Sequence, residues 1–333
     1  MTKWRTLLSW VTKFGLRLLL LTFVHLMGFI LAAQLVGVSN ESGGSGPSES
    51  RPTNQQAELG AEQSKSATTG ARSVATSQSK QLEMFGAVLL VCLLNSCVLL
   101  SWMLQTSLHG VKLAGCVFVI FFSCMTVMPQ SETFFFFPQP GKILRLAGWM
   151  GLVVCGLFSV AAVPILNRWR KQRPVSNSDK RSDITFASVW WRLVVSAGVY
   201  LALYLLFGYF VAWQNPDVRS LYGGGELRGF MEHVTSPSIA TRLIPFQLVR
   251  GMAWTLLCLM MIRFSIGGRV TQAIIVGLVL SVVMNAQLFI PNPLMSQSVR
   301  MSHLVETAIS NFLFGVFCVL FWSMRRKRHV DFE

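Results

Sequence analysis

Apolar residues in this chain come in long unbroken runs, and strongly polar residues are largely confined to the gaps between them. A bilayer core about 30 Å thick takes about 20 apolar residues at 1.5 Å rise. Eight runs meet or approach that length: Leu18–Val38, Leu82–Leu104, Leu113–Met128, Leu146–Leu166, Val189–Trp213, Ile244–Ile262, Val270–Ile290 and Leu304–Met324. The third is the shortest. Pro129, Gln130, Ser131 and Glu132 end it, which leaves Phe134–Phe137 at the interface. The pattern predicts an all-α polytopic integral membrane protein of eight transmembrane helices.

The gaps divide the chain further. Residues 1–38 carry a basic amino terminus and the first helix. A secretory signal peptide also begins with basic residues and an apolar run and is the alternative reading, but the length of this run suits an anchor better. Residues 39–81 are rich in Ser, Gly, Gln, Ala and Thr and hold no aromatic residue, so they read as a disordered loop on the outer side. Helices two to four follow in 82–166, a basic loop in 167–188, helices five to eight in 189–324, and a basic tail in 325–333.

The gap lengths repeat. In each half an outward helix leads to a long outer segment, then a short inner turn, a proline-bearing outer segment and a closing basic cluster. The stretch Gly28–Gln34 aligns with Gly208–Gln214 at three identical positions. Two tandem four-helix units of the same orientation, parallel repeats in transporter terms, account for both.

Composition agrees and excludes other classes. Hydrophobic residues make up 52% and charged residues only 13%, against about 25% charged in soluble domains. The net charge of +15 is spread over short clusters between helices, so it marks membrane orientation and anionic lipid headgroups as partners, not a nucleic-acid face. With the amino terminus inside, seventeen basic residues fall on inner segments and ten on outer ones, four of those ten in the long linker. Both termini are therefore expected in the cytoplasm, and the bilayer is taken to be a bacterial inner membrane. All seven cysteines fall inside apolar runs, where cysteine behaves as a small hydrophobe and not as part of a disulfide framework.

Few polar residues fall within the helices, and each carries a membrane cost that calls for a reason. The first half offers His25, Asn95 and Ser96 on separate helices. The second half concentrates Gln247 and Arg250 on helix six, Asn285 and Gln287 on helix seven, and His303, Glu306, Thr307, Ser310 and Asn311 on helix eight. Gln247 and Arg250 are three apart and share a face; the residues of helix eight form one polar stripe. All are expected within about 12 Å of the outer end of their helices. Arg250 and Glu306 stand out as opposite charges at similar depth, either fastening two helices together or forming part of a pocket. Arg192 and Arg263 read as anchors reaching for the inner interface. His303 and Glu306 have H-x-x-E spacing, yet no H-E-x-x-H, P-loop or nucleophile-elbow motif occurs, and no cofactor is implied. Gly223–Gly225 marks a turn, Pro291-Asn292-Pro293 a rigid corner, and 214–243 an outer segment with a short interfacial helix over Glu226–His233 that caps the pocket.

Three functions fit. The first is binding or transport of a small polar or anionic molecule, or a lipid headgroup, at Gln247, Arg250, Asn285, His303, Glu306 and Asn311. The second is a membrane-embedded enzyme acting on a lipid-linked substrate, with His303 or Glu306 as general base. The third is a non-catalytic scaffold or sensor.

Overall fold

The computed structural model describes residues 2–41, 62–137, 141–169, 186–292 and 295–323. These residues contain no strand, and eight helices are long and apolar enough to cross a membrane. Spans 1 to 8 run Ser9–Leu35, Gln78–Leu104, Gly110–Phe136, Arg145–Ile165, Val189–Ala212, Ile239–Phe264, Arg269–Phe289 and Gln297–Trp322. The protein is an all-α polytopic membrane protein. The face bearing the connection between spans 1 and 2 is called outer below.

Two spans are longer than the sequence suggests, for one reason. Pro129 and Pro245 look like helix ends, because proline lacks an N–H and its ring clashes with the preceding turn. In the structure each follows a π-helical turn, Ser123–Val127 in span 3 and Ile239–Leu243 in span 6. Met128 donates its backbone N–H five residues back to Ser123, and Ile244 does the same to Ile239. The wider turn admits the proline and the helix continues. Span 3 therefore carries Glu132 and reaches Phe136, and span 6 starts at Ile239 instead of Ile244. The long outer connection is also narrower than expected, since helix extends to Glu41 and resumes at Glu62. Residues 42–61 and the basic stretches at 170–185 and 324–333 lie outside the described residues.

The halves pack alike. Span 1 lies against spans 2 and 4, and span 5 against spans 6 and 8; span 3 pairs with span 4 as span 7 pairs with span 8. Gly28 lets span 1 approach Val154 of span 4, 3.3 Å from where a β-carbon would stand, and Gly208 leaves the same 3.3 Å to Glu306 of span 8. Spans 3 and 7 both carry π turns near their middles, Ser123–Val127 and Val279–Val283, and those turns touch. The two short inner turns also meet. Ser107 donates to the carbonyl of Phe264 and Ile266 to that of Gln105, each at 2.9 Å, around a bridge between Thr106 and Ser265.

Without water to drive apolar faces together, close packing holds such a bundle. Trp102, Trp254, Phe121, Phe158 and Phe314 are fully buried at its centre. Spans 7 and 8 touch backbone to backbone, since a β-carbon on Gly315 would stand 2.7 Å from the Cα of Gly277. At the inner end the Arg168 guanidinium caps span 2, donating to the carbonyls of Thr106 at 2.5 Å and Leu104 at 3.3 Å.

Candidate functional site

The polar residues of the second half converge, with a partner from the first. Arg250 is 4% exposed and lies eleven residues into span 6 from Ile239, about 16 Å along the helix axis. That places it near the middle of its span, deeper than the first two turns the sequence suggests. Its side chain leans toward the helix amino terminus, as helical side chains do, and so toward the outer face. Glu132 lies on a helix of opposite direction and leans inward to meet it.

Arg250 Nη2 stands 2.7 Å from Glu132 Oε2. This corrects the expected pairing, because Glu306 is not the direct partner of Arg250. The same Nη2 donates to the carbonyl of Met128 at 3.2 Å, and Nη1 donates to Gln247 Oε1 at 3.4 Å. Gln247 therefore shares a face with Arg250 as its spacing requires. The other carboxylate oxygen of Glu132 accepts from Tyr204 Oη of span 5 at 3.2 Å.

Glu306 is held by His303, with Nδ1 and Oε2 2.9 Å apart. On the far side of the ring, Nε2 meets Tyr222 Oη at 3.3 Å. Facing a carboxylate, Nδ1 carries a proton; Nε2 accepts from the phenol when the ring is neutral and donates to it when the ring is protonated. Tyr222 comes from the outer segment, where Phe136 and Phe137 pack against its ring at 5.0 and 5.8 Å. Burial, reinforced by the two carboxylates Glu132 and Glu306, pushes its phenol well above the usual range and keeps it a donor. The segment holds two short helices, Pro216–Leu221 and Phe230–Val234, the second near the position expected for an interfacial helix. Gly223 takes a φ of +69°, the turn geometry that its triplet foretold.

Asn285 and Asn311 play a different part. Asn285 Nδ2 donates to the carbonyl of Ser281 at 2.7 Å, and its Oδ1 lies 2.5 Å from Thr307 Oγ1, tying span 7 to span 8. Asn311 Nδ2 sits 3.1 Å from the sulfur of Met284. Asn311 and Met284 border a small crevice with room for about one water molecule, lined also by Tyr200, Tyr204, Arg250 and Ser310. Asn285 does not line it.

The sequence missed Glu132, Tyr204 as its partner, and Tyr222. Tyr209 donates to the carbonyl of Arg228 at 2.5 Å. Arg300, assigned to an outer segment, is buried and donates to the carbonyls of Leu288 and Ile290, closing the outer end of span 7. Arg192 lies over the rings of Trp191, Phe321 and Trp322 at 5.6–5.8 Å, suited to an interfacial anchor. His25 is fully buried among Phe29, Phe121 and Phe158. Among the described residues no group of three or more His, Cys, Asp or Glu is placed to hold a metal ion.

No protein-family model matches the chain, and no match was found among curated proteins or solved structures.

Proposed function

We propose that the protein binds, and carries across the bilayer, a small polar or anionic molecule at the cluster around Arg250. The observation behind this reading is the placement of Arg250. It lies near the middle of its span and borders a crevice where spans 5 to 8 meet, with span 3 beside it. Transporter sites sit at that depth. Spans 3 and 7 carry π turns near their middles, and such turns occur frequently at functional sites.

The charges suit a site that handles a proton. Glu132 and Glu306 face one guanidinium and one imidazole, so the cluster is neutral when His303 and Glu306 together hold one extra proton. His303 has 19% of its side chain exposed and gives that proton a way in from the outer face. In this reading both termini face the cytoplasm, and the basic clusters of the inner face meet anionic lipid headgroups.

A second reading draws on one observation. The His303–Glu306 dyad, with Nε2 directed toward the outer segment, has the form of an oriented general base, which a membrane-embedded enzyme acting on a lipid-linked substrate would use.

Purified protein screened by thermal unfolding against small anions and polar solutes, followed by uptake into proteoliposomes, tests the first reading. Asn311→Leu narrows the crevice without touching an ion pair. It is expected to leave the unfolding temperature nearly unchanged while abolishing solute-induced stabilisation and uptake. Full solute response in that variant, or none from any solute in the native protein, would overturn the reading.

A further inference from the structure

Arg250 and Glu132 are unequal partners. The arginine side chain is 3% exposed and that of the glutamate 21%. The base is fixed in the bundle by Met128 and Gln247, whereas the acid stands near the outer end of its span and is held otherwise by one phenol, Tyr204. Any exchange at this pair therefore moves the carboxylate and leaves the guanidinium in place. Arg250 also has donor capacity in reserve, since its Nε has no hydrogen-bond partner among the described residues.

We infer that Glu132 is a built-in stand-in for the ligand: a small free carboxylate takes its seat on Arg250, and one proton enters the cluster with it. The inference rests on the reading of this cluster as a binding site and names the ligand class. The seat already fits a carboxylate, with one oxygen on the guanidinium and the other on the Tyr204 phenol. The adjoining crevice is small and offers hydroxyl and amide groups from Thr307, Ser310 and Asn311, so the anion is of formate or acetate size. A phosphate dianion would bring a second charge for which the cluster holds no cation. A lipid-linked acid is disfavoured by the burial of Arg250.

The proton follows from charge. Arg250 of span 6 and Tyr204 of span 5 touch Glu132, and Tyr200 of span 5, His303 and Glu306 of span 8 and Tyr222 of the outer segment lie close enough to feel its charge. Once the ligand's negative charge pairs with Arg250, three carboxylates stand against one guanidinium and one imidazole, and uptake of one proton per anion bound leaves the net charge of the cluster as it was.

Chemical rescue tests this directly. Glu132→Ala empties the seat and leaves Arg250 unpaired, and formate or acetate is expected to raise its unfolding temperature in a saturable way, with sulfate and phosphate inert. Glu132→Ala combined with Arg250→Met is expected to show no such response. In the native protein, anion-induced stabilisation should strengthen as pH falls, by up to tenfold in affinity per pH unit for one coupled proton. If Glu132→Ala does not fold, Glu132→Gln with formate binding followed by calorimetry replaces it. Carboxylates without effect on a folded Glu132 variant, or equal effects in the double variant, would overturn the inference. Should a different solute bind in a manner that Arg250→Met abolishes, the carboxylate assignment fails while the binding-site reading stands.

Discussion

Arg250 and Glu132 set the energetics of the site at the scale of single residues. A buried guanidinium without a counter-charge is among the costliest changes a bundle can suffer, and breaking a buried pair from one side typically costs about 3–5 kcal/mol. Glu132 is less buried than Arg250, so its loss of a partner is milder than that of Arg250. Glu132→Gln is expected to destabilise by about 3 kcal/mol, and Arg250→Gln by less, whereas the double Glu132→Gln/Arg250→Gln should regain most of the loss. Thermal unfolding of the three variants in one detergent checks the order. Equal, additive losses would mean that the two residues do not interact. Of this pair only Arg250 was legible in the sequence. Its charge within an apolar run is conspicuous, but Glu132 stands beside a proline and two polar residues, a context that reads as a loop.

At the level of elements, the π turn explains why that context misleads. Pro129 and Pro245 each sit two residues after such a turn, and neither the missing N–H nor the ring clash then ends the helix. Hydrophobic runs give span number and order well, but they carry no mark of a turn that depends on packing, so the ends of spans 3 and 6 were misplaced. Close backbone approach is the other element-scale feature. At the Gly277–Gly315 contact, Gly315→Leu must push spans 7 and 8 apart and is expected to cost about 3 kcal/mol or more, read as a lower unfolding temperature.

The outer segment adds a pH dependence. Burial, then the nearby Arg228, holds the His233 imidazole below its usual range, where it packs 4.8 Å from the Trp213 ring. Its contribution to stability is present above the unfolded value, about 6.5, and is lost as pH falls through the lower folded value. Limited proteolysis of 214–243 should therefore be faster at pH 5 than at pH 7. His233→Phe should remove the difference.

For the molecule as a whole, the tandem pattern in loop lengths has a counterpart in packing. In each half the first span lies against the second and fourth and the third against the fourth, Gly28 and Gly208 each admit a neighbour, and the two inner turns pair with each other. Span 2 also packs its backbone closely on span 7, an approach that spans 6 and 3 do not repeat. The polar cluster breaks that likeness, since it draws Arg250, His303 and Glu306 from the second half and Glu132 from the first. A sequence read span by span finds the residues of one half and misses a partner supplied across the interface. The central claim is that this cross-half cluster is a ligand site and more than a fastening. Exchanging the charges, Arg250→Glu together with Glu132→Arg, and measuring unfolding temperature with and without formate in one titration, separates the two most directly. The account predicts that stability returns toward native while the formate response stays absent, because the cation no longer borders the crevice. Recovery of both together would contradict it.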